Sequence, residues 1–163
     1  MVTRRYLLKQ LMGTCCYWHL ASFTKIFSMD PKGVVILPSR YSVKETIDRL
    51  VAFLEKHGAT IYARIDQQSE LHKAGREIPP LEFILFGNPK VGGAVMAENP
   101  VAALDLPLKI IAWEDKDKNV RIAYNEATYL KDRYSLPSEV MQPLDLGPLV
   151  KKVVSENEQG SEM

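Results

Sequence analysis

The chain has 163 residues, a length that suits one domain and is too short for two comfortable ones. Its hydrophobic fraction of 46% and charged fraction of 25% are those of an ordinary globular protein. The charges nearly cancel, with 21 basic and 20 acidic side chains and a net charge of +1. This balance argues against a dedicated nucleic-acid-binding protein, which needs a cationic excess to displace counterions from phosphates. It also gives no general attraction to anionic membranes.

Cysteine and histidine are too scarce for most metal sites. The two cysteines are the neighbours Cys15 and Cys16, and adjacent cysteines rarely bridge each other. The three histidines, His19, His57 and His72, are scattered along the chain. We therefore predict no structural disulfide, no thiolate nucleophile, no metal site and no bound cofactor in the body of the chain.

Residues 1–28 have features of an export signal. Residues 3–9, Thr-Arg-Arg-Tyr-Leu-Leu-Lys, fill each position of a twin-arginine motif, and a mixed apolar stretch follows over residues 11–23. That stretch is too short and too mixed for a membrane-spanning helix. No clean cleavage site follows it, and His19 interrupts the apolar run. Two interpretations stay open: a twin-arginine-like signal to the periplasm, or a weakly helical terminus of a cytoplasmic protein.

The body begins with a short strand and a well-capped helix. Residues 34–37 are a β-rich apolar run that stops at Pro38 and predicts the first strand. Ser42 and Glu45 have the spacing of a capping box. Helical spacing of apolar side chains follows, at Val43, Ile47, Leu50, Val51 and Leu54. We predict a helix that ends where Gly58 can take the left-handed conformation.

Two more strands and a short helix are predicted next. Residues 59–65 alternate as a strand does, and residues 68–74 form a short helix stopped by a glycine. Residues 81–86 are nearly all apolar, which favours a central strand covered on both faces. The segment Gly87–Gly93 is the most irregular loop in the chain, and a helix follows it.

The second half predicts a helix, a hairpin and further helices. Asn99 and Pro100 are typical of a helix start. Residues 108–113 and 120–124 are two strands joined by a charged turn, which predicts an antiparallel hairpin. A short helix is predicted over residues 128–134. An amphipathic segment follows over residues 138–154 and is interrupted at Pro143 and at Gly147-Pro148.

The element order predicts an α+β fold with a mixed β-sheet, helices packed on it and a terminal antiparallel hairpin. We expect a single domain over residues 29–154. A polar, acidic tail over residues 155–163 is expected to be disordered.

Several short runs in the body carry a family resemblance. They are residues 42–46 (Ser-Val-Lys-Glu-Thr) with Leu50, 63–66 (Ala-Arg-Ile-Asp), 86–92 (Phe-Gly-Asn-Pro-Lys-Val-Gly), 103–108 (Ala-Leu-Asp-Leu-Pro-Leu), 113–115 (Trp-Glu-Asp), 124–125 (Tyr-Asn) and 129–130 (Tyr-Leu). With these runs, residues 34–137 resemble the bacterial and archaeal family named domain of unknown function 302. The resemblance implies a compact α+β fold that is often dimeric, and it implies no reaction. Many relatives place a histidine where this chain has Gln67, so any role of that histidine is absent here.

The segment Gly87–Gly93 is the first candidate binding site. A glycine-rich turn between a strand and a helix can hold an anion on backbone amides. Asn88 can hydrogen-bond a ligand, Lys90 can add charge, and Gly92 and Gly93 can contribute amides. The segment matches neither the Walker A loop nor the dinucleotide signature, so a purely structural turn is the alternative.

Three residues at strand ends are further candidates. Glu114, Tyr124 and Asn125 can form the polar contacts of a pocket if the ends of the hairpin line one, although cross-strand packing also explains the tyrosine. Asp66 and Arg64 can join such a site or form a surface charge pair.

Three functions remain open, and no reaction can be assigned. The first is a small-ligand or anion-binding domain, expected to be a homodimer, that uses the Gly87–Gly93 segment. The second is an enzyme with Asp66, Glu114 or Tyr124 as acid or base in the same pocket. The third is a protein–protein assembly module with a flat apolar surface over residues 141–154. None of them involves nucleic acid or a membrane span.

Overall fold

The computed structural model describes residues 31–155. The strands are β1 Val34–Ser39, β2 Thr60–Asp66, β3 Leu81–Gly87, β4 Leu108–Glu114 and β5 Val120–Asn125. The helices are α1 Val43–Lys56, α2 Gln67–Lys73, α3 Pro89–Glu98, α4 Ala127–Tyr134, α5 Ser138–Met141 and α6 Gly147–Ser155, with 3-10 turns at Pro100–Leu104 and Gln142–Leu144. The export-like segment and nearly all of the acidic tail lie outside the described residues, so both stay predictions.

The five strands form one open sheet in the order β1-β5-β4-β3-β2. Every neighbouring pair is antiparallel, including the predicted β4–β5 hairpin. The predicted α+β class is therefore confirmed, whereas the predicted mixed sheet is wrong. Parallel neighbours need a crossover connection between adjacent strands. Here the crossover through α1 joins the two edge strands, β1 and β2, which are not neighbours.

One face of the sheet, here called the inner face, packs against the helices. Three isoleucines of this face have no exposed surface: Ile84, Ile110 and Ile122. The same is true of Ile47 and Leu50, which α1 packs against the sheet. The buried side chains of α3, α4, α5 and α6 belong to the same cluster. The Ser42 cap predicted for α1 is present, since its hydroxyl accepts a hydrogen bond from the Glu45 amide at 3.2 Å.

The opposite face, here called the outer face, carries an apolar row that lies between the charged residues Lys109 and Arg121. Side chains alternate along a strand, so the residues between the inner-face positions point the other way. A row of cross-strand partners spans all five strands on this face: Ile36, Ala123, Ile111, Phe83 and Ile65. None of these five belongs to the hydrophobic cluster that the helices cover.

The described helices are all too short or too polar to cross a bilayer, since no helix within residues 31–155 meets the length and hydropathy that a span needs.

Candidate functional site

The segment Gly87–Gly93 is mostly helical, contrary to the predicted irregular loop. Strand β3 ends at Gly87, Asn88 is the N-cap of α3, and Pro89 occupies the first helical turn. The Asn88 side chain accepts a hydrogen bond from the Lys90 amide at 2.9 Å, and the Gly92 amide donates to the Asn88 carbonyl at 2.9 Å. These amides are therefore occupied within the protein. The amide cradle predicted for an anion does not form at Gly92.

A depression of about 180 Å³ lies beside this helix start. We call it the apolar pocket. It is lined by Tyr62, Gly87, Asn88, Pro89, Gly92, Met96, Leu106, Pro107, Leu108 and Leu144. Asn88 and Gly92, two of the residues singled out from the sequence, are among them. Lys90 and Gly93 are exposed residues of α3 and do not line the pocket.

Two glycines keep the apolar pocket open. A Cβ atom at Gly87 would lie 3.6 Å from the Tyr62 ring, and one at Gly92 would lie 4.0 Å from the Met96 methyl. Tyr62 and Met96 are among the exposed large apolar residues, with 51% and 40% of their surface accessible. The pocket thus combines two glycines in its floor with apolar walls that water still reaches.

Tyr62 reaches this position through an irregularity in β2. The pairing of β2 with β3 shifts between Ile61 and Ala63, so Tyr62 has no partner in the register. A β-bulge re-aims the side chain at the extra residue. The ring turns toward Gly87 at the pocket, a placement that the alternating pattern of residues 59–65 does not indicate.

The β4–β5 register separates the three strand-end candidates. Glu114 pairs with Val120 next to the turn, whereas Tyr124 pairs with Ile110 near the other end of the hairpin. Four residues of strand separate these positions, which corresponds to about 14 Å. The expectation that Glu114, Tyr124 and Asn125 line one pocket is therefore wrong, because an antiparallel hairpin brings the end of one strand to the start of the next.

Asn125 belongs to a polar network around Asp105. Its amide nitrogen donates to Asp105 Oδ1 at 3.4 Å, and Arg133 Nη1 lies 3.2 Å from Asp105 Oδ2. The Tyr134 hydroxyl donates to the same Oδ2 atom. This hydrogen bond is the main reason that the pKa of Tyr134 is raised above its ordinary value. Asn125 is thereby committed to an internal contact.

Tyr124 is buried near the start of α6. Its hydroxyl oxygen lies 3.7 Å from the position of a Cβ atom on Gly147. Burial raises the pKa of Tyr124, and the charges of Asp145 and Glu126 raise it further. The phenol therefore stays protonated near neutral pH, which disfavours it as a general base.

Glu114 instead lies in a second depression, at the opposite end of β3 from the apolar pocket. This depression of about 600 Å³ we call the polar cleft. It is lined by Ser42, Val43, Lys44, Arg64, Asp66, Gln68, Pro80, Leu81, Glu82, Glu114 and Val120. The structure thus brings Glu114 together with Asp66 and Arg64, as one of the sequence interpretations proposed. It places Tyr124 elsewhere.

Arg64 is the centre of an ion network in the polar cleft. Its Nε donates to Glu82 Oε1 at 2.5 Å and its Nη1 to Asp48 Oδ1 at 2.5 Å. Lys44 also donates to Asp48, at 2.8 Å. The hydrogen bonds from Lys44 and then Arg64 hold the pKa of Asp48 below its ordinary value. Within residues 31–155, no group of three or more histidine, cysteine or acidic side chains is placed to hold a metal ion.

The family of the chain follows from comparison with known proteins. A family model described as "Domain of unknown function DUF302" matches residues 35–146. This chain belongs to that family. The match confirms the resemblance that the short runs carried and extends it to residue 146.

A solved member has the same fold. The crystal structure of an uncharacterized conserved protein of this family from Bacillus stearothermophilus superposes with a TM-score of 0.64. It covers 76% of this chain and 96% of the other, at 18% sequence identity. At that identity the likeness shows the fold alone.

Curated relatives of higher identity are longer proteins, and only part of each one matches this chain. Fluoride-specific ion channel FluC 1 of Brucella suis is 36% identical over 117 residues, which is 72% of this chain and 46% of that protein. The protein of that name from Brucella abortus and FluC 2 of Brucella melitensis are also 36% identical over 117 residues, or 43% of their length. The chain thus spans less than half the length of these relatives.

Proposed function

We propose that this domain binds a small molecule in the apolar pocket, with Asn88, Gly87 and Gly92 at its floor and Tyr62 and Met96 at its walls. The single observation that supports the proposal is the pairing of two exposed apolar side chains with two glycines that leave the space between them empty. Ligand sites are typically concave and apolar with a few polar groups that set orientation.

The size and lining of the pocket favour one ring over a larger ligand. A cavity of roughly 150 Å³ accommodates benzene, and the apolar pocket has about 180 Å³. Asn88 Oδ1 is occupied by the Lys90 amide, whereas no hydrogen bond uses the Asn88 amide nitrogen as a donor within the described residues. We therefore infer a ligand with a single ring and one hydrogen-bond acceptor, rather than the anion first expected.

The Brucella relatives are named as fluoride channels, but this chain matches less than half of each of them. Residues 31–155 of this chain contain no helix that could span a membrane. We infer that the shared domain is an attachment to the channel part rather than the pore itself. Fluoride is a poor candidate for the apolar pocket, because moving an unpaired anion out of water is costly.

Adjacent glycines supply a matched test of the ligand site. Gly92→Leu places a side chain in the pocket, whereas Gly93 does not line it, and a Cβ atom at Gly93 would meet no other part of the described chain within 4 Å. We expect benzyl alcohol to perturb the amide resonances of Gly87 and Gly92 in the unmodified protein. The affinity should fall at least tenfold in Gly92→Leu and stay unchanged in Gly93→Leu, as followed by NMR titration. Equal binding by both variants would contradict the proposal.

A second candidate function, homodimer assembly, is favoured by the outer face of the sheet. Its cross-strand row of Ile36, Ala123, Ile111, Phe83 and Ile65 is apolar across all five strands. Ala123 is buried, and the other four residues of the row are half-buried. Accessible apolar surface on a sheet face marks interaction sites. Two such faces are self-complementary in chemistry, so a second copy of the chain is the partner we infer.

The dimer is tested by the oligomeric state of two lysine variants. Phe83→Lys introduces a charge in the middle of the outer face, and Leu104→Lys introduces one at a 3-10 turn residue that is 77% exposed. We expect sedimentation equilibrium to give a dimer for the unmodified protein and for Leu104→Lys, and a folded monomer for Phe83→Lys. A monomeric unmodified protein would rule out this assembly.

A further inference from the structure

The polar cleft lies where the side chains of the inner face change from apolar to charged. Ile110 and Ile84 are neighbours in one cross-strand row of this face, and the next residue in the row, on edge strand β2, is Arg64. In the adjacent row, Ala112 is followed by Glu82 and then Asp66. Helix α1 begins only at Val43. The corner of the sheet near its first turn therefore stays open and is lined by polar side chains.

Two carboxylates in the cleft are left over after the ion network is balanced. Lys44 and Arg64 contribute two positive charges, which Asp48 and Glu82 match. The other charged residues that line the cleft are both acidic, Asp66 and Glu114. Lys73 offsets part of the charge of Asp66. The remaining negative charge favours a cationic occupant, because opposite charges at close range attract.

Glu114 is the more available of the two carboxylates. Asp66 uses Oδ1 to accept the Ser69 amide at 2.9 Å as the N-cap of α2. No hydrogen bond or ion pair to the Glu114 carboxylate is found within residues 31–155. The backbone amide of Glu114 donates a hydrogen bond to the Pro80 carbonyl at 2.9 Å. The strand position of Glu114 is thus fixed while its carboxylate is free to bind.

Arg64 adds a fixed donor to the cleft. Its Nε and Nη1 are held by Glu82 and Asp48, which orients the planar guanidinium. The remaining nitrogen, Nη2, has no partner among the described residues and can donate to an acceptor in the cleft. Since Asp48 and Glu82 already pair with this arginine, a neutral oxygen suits Nη2 better than a third carboxylate.

We propose that the polar cleft binds a small aliphatic amine that carries a hydroxyl group. Glu114, assisted by Asp66, binds the ammonium group, and Arg64 Nη2 donates to the hydroxyl oxygen. Val43, Leu81 and Val120, which also line the cleft, contact the methylene chain. This site is separate from the apolar pocket, which lies at the other end of β3.

A set of four-carbon probes tests each part of this chemistry on the full chain by NMR titration. Aminobutanol should bind saturably and shift the amide resonances of Glu82 and Glu114. Butylamine should bind more weakly because it lacks the oxygen. Butanol and aminobutyrate should not bind, since one lacks the ammonium group and the other brings a carboxylate near Glu82. Binding of butanol as tight as that of aminobutanol would overturn the proposal, as would shifts confined to residues outside the cleft.

Charge-neutral substitutions then identify the recognising side chain. Glu114→Gln should weaken aminobutanol binding at least tenfold without lowering the thermal midpoint, because no internal contact of the carboxylate is lost. Asp66→Asn should weaken it less, and asparagine keeps the cap of α2. Glu98→Gln, at the exposed end of α3, is the control and should bind as the unmodified protein does. Unchanged binding in Glu114→Gln would overturn the assignment.

Discussion

At the scale of single residues, Gly33 shows how a local preference and a long-range contact combine. Its φ of +77° lies in the left-handed region that glycine tolerates best. A Cβ atom on Gly33 would also lie 2.0 Å from Cγ of Tyr129, so the ring occupies the space that any side chain would need. The Gly33 carbonyl further accepts the Glu126 amide at 2.8 Å. The residue just before β1 is thereby joined to the start of α4.

Alanine substitutions at two glycines should separate these two effects. Gly33→Ala is expected to cost about 3 kcal/mol or more, because steric overlap with Tyr129 adds to the left-handed penalty. Gly58 has a φ of +78°, and a Cβ atom there would meet no described neighbour within 4 Å, so Gly58→Ala carries only the backbone penalty of about 1 kcal/mol. Urea denaturation measures both losses. Equal losses in the free energy of unfolding would show that the Tyr129 ring can move aside without destabilising the protein.

The start of α3, beside the apolar pocket, also depends on single residues. Asn88-Pro89 is a cap followed by proline, the same signal that Asn99-Pro100 gives correctly. The two glycines at positions 92 and 93 favoured a loop instead. Gly92 nevertheless lies inside α3, because the cap and its neighbours fix the helix start before the glycines are reached.

At the scale of elements, Asp105 joins parts of the chain that are distant in sequence. It follows the 3-10 turn Pro100–Leu104, and its carboxylate accepts hydrogen bonds from Tyr134 of α4 and Asn125 of β5. Arg133 adds an ion pair. Asn99 strengthens the same junction, since its Nδ2 donates to the Tyr134 carbonyl at 2.9 Å. The hairpin and the following helices are held together by these polar contacts as well as by the core.

Asp105→Asn should weaken this junction and alter its pH dependence. Loss of hydrogen bonds to a charged acceptor predicts a cost of about 1.5–3 kcal/mol at neutral pH. Because the folded-state pKa of Tyr134 is raised, its contribution is complete below the unfolded value of about 10 and is lost as pH rises through the folded pKa. Without the Asp105 charge, that alkaline loss should shrink. Urea denaturation between neutral and alkaline pH measures both effects.

Tyr134→Phe serves as the comparison for this experiment. It removes the titrating phenol and should flatten the same alkaline loss, leaving the contribution of Tyr124, whose pKa is also raised. An Asp105→Asn variant whose stability falls with pH as steeply as that of the unmodified protein would show that the carboxylate does not act on Tyr134.

At the scale of the whole molecule, the two faces of the sheet have different surroundings. The inner face packs against the helices in one cluster, whereas the outer-face row lies outside that cluster. Two neighbouring residues of β4 lie on opposite faces. Ile110, on the inner face, has no exposed surface, and Ile111, on the outer face, is half-buried. The two candidate binding sites lie at opposite ends of β3.

Truncation of these two isoleucines should report the asymmetry. Ile110→Ala is expected to cost about 2–5 kcal/mol, because it leaves a cavity in a packed core. Ile111→Ala should cost about 1 kcal/mol in the monomer, since its side chain loses less burial. Guanidinium denaturation at low protein concentration measures both. Equal losses would indicate that the outer face is packed as tightly as the inner one within a single chain.

The sequence by itself determined the features that have local causes. The Ser42 cap and the apolar spacing of residues 43–54 specify α1, and the charged turn after residue 114 specifies the hairpin, because capping and periodicity act between residues a few positions apart. The short runs also sufficed to indicate the family. Only the tertiary structure decided strand order, the bulge at Tyr62 and the separation of Glu114 from Tyr124. These depend on register between residues far apart in the chain, and a shift of one residue there turns a side chain to the other face.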